Sequence, residues 1–310
     1  MTRQEHAPPA ADWIAADWGT TNLRIWALGK SGETIAHRSS EKGMGKLAPG
    51  EFEPALLELT ADLLSEGRRT PVIVCGMAGS RQGWAEAPYL TTPCHPPTIG
   101  DATAVTTRDS RLDVHILPGI KQLQPADVMR GEETQIAGFL AAEPGFNGLL
   151  CLPGTHTKWV FLDGGRITAF RTFMTGELFA LLSGQSVLRH GVSQKEMDPD
   201  AFSQAVRDMA DEPVRFAADL FGIRAAGLIA GLGPEQARGR LSGLLIGAEL
   251  AAARKDIASL PVAILGSDGL ARTYRSALES LGHSARLLDA DTITLQGLTL
   301  AHSSYAKVSS

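Results

Sequence analysis

Four short segments of the chain carry residue types able to handle an anion or a proton. In Asp17-Trp18-Gly19-Thr20-Thr21-Asn22 a carboxylate is followed at once by a glycine and two hydroxyls. A glycine lets the backbone come close to a ligand, and turn N–H and hydroxyl groups can bond phosphate oxygens. An aspartate there can hold a hydrated magnesium ion, which takes one or two carboxylates and completes its shell with water and phosphate oxygens. The same hexapeptide also fits an ordinary hairpin with Asx-type turn bonds. Pro153-Gly154-Thr155-His156-Thr157-Lys158 repeats the order of glycine, then hydroxyls. Taken singly, His156 fits a satisfied turn histidine and Lys158 a solvated cation. Their paired placement points to two hairpins gripping the phosphates of one nucleotide.

Gly266-Ser267-Asp268-Gly269 is a small-residue loop entering a helix, a common anion or nucleoside site and equally a common connection. Arg130-Gly131-Glu132-Glu133-Thr134-Gln135 puts two adjacent carboxylates at a predicted helix start. They can serve the positive end of the helix dipole, or one can act as a general base for a substrate hydroxyl.

The elements that must position these segments follow from periodicity. Residues 13–18, 23–28 and 34–39 read as strands joined by turns, an antiparallel meander. Apolar spacing at Phe52, Leu56, Leu59 and Leu63 predicts a helix over 52–66. The β-branched run 71–75 is a buried strand stopped by Gly76, and 76–100 is a proline-rich loop. Residues 114–117 form a strand and 132–142 a helix, and Glu143-Pro-Gly-Phe-Asn-Gly148 breaks the chain. The pattern then begins again, with strands over 149–152, 158–162 and 167–173. Helices fill much of 177–255. A strand over 261–265, a helix over 270–281, a strand over 284–288 and a helix over 294–306 complete the chain. This repetition of architecture predicts two similar α/β domains facing each other across a nucleotide cleft. The expected boundaries are 1–11 for a disordered lead-in, 12–146 for the first domain and 147–310 for the second.

Composition excludes several classes. With 310 residues, 44% hydrophobic and 20% charged, the chain is an ordinary globular protein rather than a disordered one. A net charge of −5 argues against nucleic acid or an anionic membrane as the main partner. Cys75, Cys94 and Cys151 show no CxxC spacing, so neither a disulfide framework nor a zinc site is expected. No 18-residue apolar run exists to span a membrane, and the polar segment 1–11 lacks a signal-peptide core, so the expected location is cytoplasmic. Gly29-Lys30-Ser31 has Arg24 where a P-loop needs glycine. GxGxxG, HExxH and GxSxG are absent, which removes sequence support for nicotinamide, zincin and α/β-hydrolase chemistry.

The strand-Asp-x-Gly-Thr hairpin, repeated in a second half and followed by a glycine loop, resembles the fold shared by actin, Hsp70 and sugar kinases. In detail the chain is similar to 2-dehydro-3-deoxygalactonokinases from Trp13 onward. Seven blocks in order carry the resemblance: 17–24, 76–80 with Gly83-Trp84, 87–90, 129–135, 153–159, 171–178 and 241–249. The resemblance implies two actin-like (ribonuclease H-like) domains, each a mixed five-stranded sheet with helices. It also implies ATP-dependent phosphorylation of 2-dehydro-3-deoxy-D-galactonate at its 6-hydroxyl, with Mg²⁺. Asp17 would hold the metal through water, and Gly19, Thr20, Thr21, Gly154, Thr155, His156, Lys158, Gly266 and Ser267 would meet the nucleotide. Asn22, Arg24, Met77, Ala78, Gly79, Ser80, Trp84 and Arg130 would meet the sugar acid, with Arg24 and Lys158 as candidates for phosphate or substrate carboxylate. Gly131-Glu132 resembles the Gly-Asp that opens the cross-domain helix of glycerol and xylulose kinases, which makes Glu132 the expected base. Glutamate is one methylene longer than that aspartate, and Glu133 competes for the role. The alternatives are a non-catalytic nucleotide switch or sugar sensor on the same fold, and a kinase for a related acid such as 2-keto-3-deoxygluconate. The expected partners are the sugar acid and ATP, with a homodimer left open.

Overall fold

The computed structural model describes residues 10–305. The chain opens with β1 (Trp13–Trp18), β2 (Leu23–Leu28) and β3 (Thr34–Ser40), the antiparallel meander predicted from alternation. Helix α1 (Phe52–Thr60) follows, shorter than its apolar spacing suggested because Ala61–Leu63 tighten into a 3₁₀ turn. Next come β4 (Thr70–Gly76), β5 (Leu90–Thr91), β6 (Thr103–Val105), β7 (Leu112–Ile116), β8 (Ile120–Leu123), β9 (Ala126–Met129) and α2 (Glu132–Ala142). The second half runs through β10 (Gly148–Leu152), β11 (Thr157–Asp163), β12 (Arg166–Phe173), α3 (Thr175–Gly184), α4 (Pro199–Asp211), α5 (Phe216–Ile229) and α6 (Pro234–Ser259). It closes with β13 (Val262–Gly266), α7 (Asp268–Ser280), β14 (Ala285–Asp289) and α8 (Ala290–Ser303).

The main sheets repeat one topology. The first has the order β3-β2-β1-β4-β7-β6 and the second β12-β11-β10-β13-β14. In each, a hairpin strand lies antiparallel to a central strand that pairs in parallel with the next. These are the two actin-like α/β units expected. The first sheet has six strands rather than five, because β6 adds an antiparallel edge to β7. The proline-rich stretch over 76–100, expected as loop, supplies β5 to a separate three-stranded sheet, β5-β8-β9, whose other two strands fall where no element was assigned. Its strands are two to four residues long, too short to show alternation.

The chain divides into two compact units. One comprises the chain up to Gly145, Gly165–Ile167 and the chain from Asp291; the other comprises Phe146–Gly164 and Thr168–Ala290. The last helix thus departs from the expected boundaries, since it belongs to the first unit. The disordered lead-in expected over 1–11 lies outside the described residues as far as residue 9. Ala11 itself is buried and donates its N–H to the Leu63 carbonyl at 2.8 Å, so the chain is ordered there rather than a disordered lead-in.

Strand β1 is buried on both faces, and its period of two sorts the core. Ile14, Ala16 and Trp18 pack with Phe52 and Leu56 of α1. Trp13 and Ala15 pack on the other face with Ile73, Cys75, Leu298 and Ala301, the last two from α8. Asp17 shares the face of Trp13 and Ala15, so it points to the α8 side. In the second unit, Leu149 and Cys151 of β10 pack with Ile246, Leu250 and Ala253 of α6 and with Tyr274 of α7.

Candidate functional site

In the first unit the predicted residues gather where the parallel strands β1 and β4 end. Register places Asp17 beside Arg24 on one side and Cys75 on the other. Arg24 Nη2 donates to Asp17 Oδ2 at 2.6 Å, while its Nη1 donates to Asp291 of α8. The Cys75 thiol lies 3.7 Å from Asp17 Oδ1. Asp17 keeps 19% of its side chain exposed. The turn after it is clamped: Met44, Gly45 and Gly43 donate backbone N–H groups to the carbonyls of Gly19, Thr20 and Thr21. The side chains of Thr20, Thr21 and Asn22 are left exposed.

Two glycines in the left-handed region shape the adjoining floor. Gly76 has φ 89° and Gly131 φ 102°, and a Cβ on Gly131 would lie 3.4 Å from the Gly76 Cα. A side chain at Gly76 would come within 2.6 Å of the Trp18 carbonyl and 3.5 Å of Asp17 Oδ1, so glycine keeps the space beside the carboxylate clear. Gly131 then opens α2, bringing its N-terminus to the same end of the sheet.

That N-terminus separates the two glutamates. Glu132 is half-buried, and its Oε2 accepts the Arg130 N–H at 3.0 Å. Glu133 is fully buried, and its Oε2 accepts the Gly131 N–H at 2.6 Å. Burial first, and then the charge of Glu132, raises the Glu133 carboxyl to about 8. Glu133 is therefore protonated at neutral pH and out of reach of a ligand, which corrects its candidacy as a base. Adjacent helix residues diverge by about 100°, so only one of the pair can face outward.

Around this floor, Ala78, Gly79 and Ser80 are buried under a 3₁₀ turn over Met77–Gly79, and Met77 is half-buried. Arg130 stacks its guanidinium 4.4 Å from the Tyr89 ring centroid and donates from Nη2 to the Ala87 carbonyl. Its Nε and Nη1, and the Ser80 hydroxyl, are buried without a hydrogen-bond partner among the described residues. Trp84 is not brought to the site. It packs on Trp18 and Phe52, with ring centroids 5.8 and 6.2 Å apart. This is the sheet face opposite Asp17, and apolar packing claims the indole.

In the second unit the hairpin Pro153–His156 is built against α3. Gly176 leaves no room for a side chain over Gly154 and Thr155, and the Glu177 N–H donates to the Thr155 carbonyl at 2.9 Å. His156 Nε2 lies 2.6 Å from Glu177 Oε2, so the imidazole is held across the turn. Thr155 is exposed, whereas Lys158 is buried with Nζ 3.4 Å from the His156 carbonyl, not the solvated cation its position alone suggested. Gly266 is buried next to Pro153, so the Gly266–Gly269 loop flanks the hairpin, with Ser267 exposed.

A cavity of about 410 Å³ opens beside these loops. Its lining includes Gly154, Gly176, Phe179, Arg238, Gly269 and Tyr274. The Arg238 guanidinium lies 4.8 Å from the Phe179 ring centroid. Mostly apolar walls with a few polar groups and an adjoining glycine turn suit a flat heterocycle with an anionic tail. Sequence reasoning reached this cavity only through Gly154 and the 266–269 loop. Phe179, Arg238 and Tyr274 come from three helices, and no local motif ties them together.

No group of three or more His, Cys, Asp or Glu side chains able to hold a metal occurs among the described residues. Asp17, partly exposed beside a glycine-cleared space, fits the single carboxylate that a water- and phosphate-bound ion requires.

Comparison with known proteins gives a consistent result. The family model for 2-keto-3-deoxy-galactonokinase matches residues 17–301. A protein of Rhizobium meliloti (strain 1021) assigned as a 2-dehydro-3-deoxygalactonokinase is 41% identical over 299 residues, 94% of this chain and 97% of its own length. The 2-dehydro-3-deoxygalactonokinase of Escherichia coli (strain K12) is 37% identical over 297 residues, 94% of this chain and 98% of its own. A crystal structure from Sinorhizobium meliloti, assigned to the same activity, superposes with a TM-score of 0.87 at 40% identity and covers 94% of this chain and 99% of that one. Among the described residues no helix is long and apolar enough to cross a membrane.

Proposed function

The chain belongs to the 2-keto-3-deoxy-galactonokinase family, and from that premise we propose that it transfers the γ-phosphoryl group of ATP to the 6-hydroxyl of 2-dehydro-3-deoxy-D-galactonate. The product is 2-dehydro-3-deoxy-6-phospho-D-galactonate. The observation that carries this reading is identity near 40% to relatives of that activity across 94% of the chain, and the family match over 17–301 includes every residue assigned below.

Each residue has a physical role in this reading. The cavity by Phe179 and Arg238 seats the adenosine, and Gly154, Thr155, Gly19 and Thr20 take the phosphates. Thr21, His156, Lys158, Gly266 and Ser267 support them. Asp17 would hold Mg²⁺, which would offset phosphate charge when bound with the nucleotide. Asn22, Arg24, Arg130 and the Met77–Ser80 turn form the sugar-acid side. Glu132 removes the proton from the 6-hydroxyl as its oxygen bonds to the γ-phosphorus and the bond to the β–γ bridging oxygen breaks. The full burial of Glu133 supports Glu132 over Glu133 in this role.

The test is an assay of ADP formation by the purified protein with ATP, Mg²⁺ and either 2-dehydro-3-deoxy-D-galactonate or its gluconate-derived epimer. Turnover that depends on the galactonate-derived acid, with phosphorus–proton coupling to the C6 protons of the product, is expected. Nucleotide binding without acid-dependent turnover would replace the reading with a switch. Faster turnover of the epimer would reassign the substrate.

A further inference from the structure

Behind the second-unit hairpin lies a buried carboxylate with no role in the reading above. Glu249, on α6, is 2% exposed. Its Oε1 accepts the Trp159 indole N–H at 2.7 Å. Its Oε2 accepts the Tyr274 hydroxyl at 2.8 Å and also the Thr175 hydroxyl. Tyr274 is further joined to Thr157, with the two hydroxyl oxygens 2.8 Å apart. Three donors on two oxygens leave this buried carboxylate well satisfied.

The partners are spread over the elements that frame the proposed nucleotide seat. Thr157 and Trp159 belong to β11, the strand that leaves the hairpin. Thr175 is the first residue of α3, directly before the Gly176 that packs on Gly154 and Thr155. Tyr274, on α7, lines the cavity, as does Thr175. One carboxylate thus fixes the hairpin's exit strand, the helix packed on the hairpin and the far wall of the cavity.

We propose that Glu249 is a positioning residue for the nucleotide: it holds the Pro153–His156 hairpin, the start of α3 and Tyr274 in one arrangement without touching the ligand. The proposal rests on the nucleotide seat assigned above. It acts through geometry, so a side chain that keeps the bonds should keep the function. Glu249→Gln qualifies: its carbonyl accepts from Trp159, and its amide donates to the Thr175 and Tyr274 hydroxyls, which accept as readily as they donate. Glu249→Ala takes the partner from the buried Trp159 N–H and the Thr175 hydroxyl, and leaves Tyr274 only its bond with Thr157.

The experiment measures kcat and separate KM values for ATP and sugar acid in E249A, E249Q, Y274F and F179A, each with a thermal melt. E249A is expected to raise the ATP KM at least about tenfold, the scale of one lost buried hydrogen-bond partner. The sugar-acid KM should stay within about twofold and E249Q within about threefold of the parent in every constant. Y274F keeps the ring on the cavity wall and removes only the hydroxyl, and it is expected to raise the ATP KM by a smaller factor. Should E249A fail to fold, Y274F carries the test. An ATP KM within about twofold of the parent in Y274F, or in a folded E249A, overturns the proposal. So does E249Q proving as harmful as E249A, or E249A shifting both KM values equally. F179A separates the two levels: if it raises the ATP KM while E249A does not, the seat stands and the positioning role falls, and if neither does, the seat itself is wrong.

Discussion

At the residue scale, the structure gives adjacent carboxylates opposite fates, and the consequence is measurable. Glu132 sits half-buried at the start of α2 with its Oε2 on the Arg130 N–H, while Glu133 turns into the core. Glu132→Gln is expected to lower kcat by about 10²–10⁴-fold with the sugar-acid KM changed only a few-fold, since the amide can still hydrogen-bond. Steady-state kinetics showing less than about a threefold loss would place the base elsewhere. Glu133→Gln should be far milder in kcat but should alter stability with pH. The Glu133 carboxyl rises from 4.5 to about 8 on folding. Below pH 4.5 both states carry the proton. Between 4.5 and about 8 the unfolded chain releases it and the folded chain keeps it, so stability falls as pH rises through that window. E133Q lacks this loss, so urea midpoints of variant and parent should agree near pH 4.5 and separate in the variant's favour by pH 8. Parallel profiles would refute the assignment. A third expectation concerns Asp17, which Arg24 already neutralises within the fold. Asp17→Asn should retain native circular dichroism and lose most turnover, and near-normal kcat would remove the metal role.

At the element scale, α2 is held by α8 through close backbone contact. A Cβ at Gly297 would collide with the Thr134 carbonyl, and one at Gly138 with the Ile293 carbonyl. Because α2 carries Glu132, this crossing sets where the proposed base stands. Gly297→Ala should cost about 1–3 kcal/mol by forcing the helices apart, and should also lower kcat. Gly50→Ala, where a Cβ meets nothing within 4 Å, serves as the control. A urea midpoint for G297A equal to that of G50A would show that the crossing adjusts freely. The sequence made some of these elements legible and hid others for physical reasons. The hairpins at Asp17 and Thr155 and the helix at Glu132 announce themselves through alternation, turn residues and a glycine stop, all local signals. The α2–α8 crossing joins Gly138 to Gly297 across more than half the chain, and no local pattern marks it. The cavity is likewise assembled from five separate stretches, around residues 154, 175–179, 195–197, 238–246 and 269–274. Glu249 stood in a recognisable block, yet only the fold brings Trp159, Thr175 and Tyr274 onto it.

At the scale of the whole molecule, the second unit is inserted into the first. The chain leaves the first unit at Gly145, builds the second up to Ala290 apart from Gly165–Ile167, which belong to the first, and returns to complete the first with α8. The return is structural in consequence, because Leu298 and Ala301 cover Trp13, Ala15, Ile73 and Cys75 on one face of the central strands. Without α8 that face of β1 and β4 would meet water, whereas the second-unit core of β10, α6 and α7 would lose nothing. Apolar burial is the main favourable term in folding, so the two units should respond differently to loss of the C-terminal segment. A chain ending at Asp289 is therefore expected to lose hydrogen-exchange protection at the β1 and β4 amides and keep it at those of β10 and β13. The tryptophans give an independent reading. Trp13, Trp18, Trp26 and Trp84 lie in the first unit and Trp159 alone in the second. In the truncated chain, a variant with the first four replaced by Phe should still show a cooperative melt from Trp159, and Trp159→Phe should show none from the others. Retained protection of β1 in the truncated chain would mean that the first unit closes its core before its last helix arrives, and that the insertion has no bearing on the order of folding.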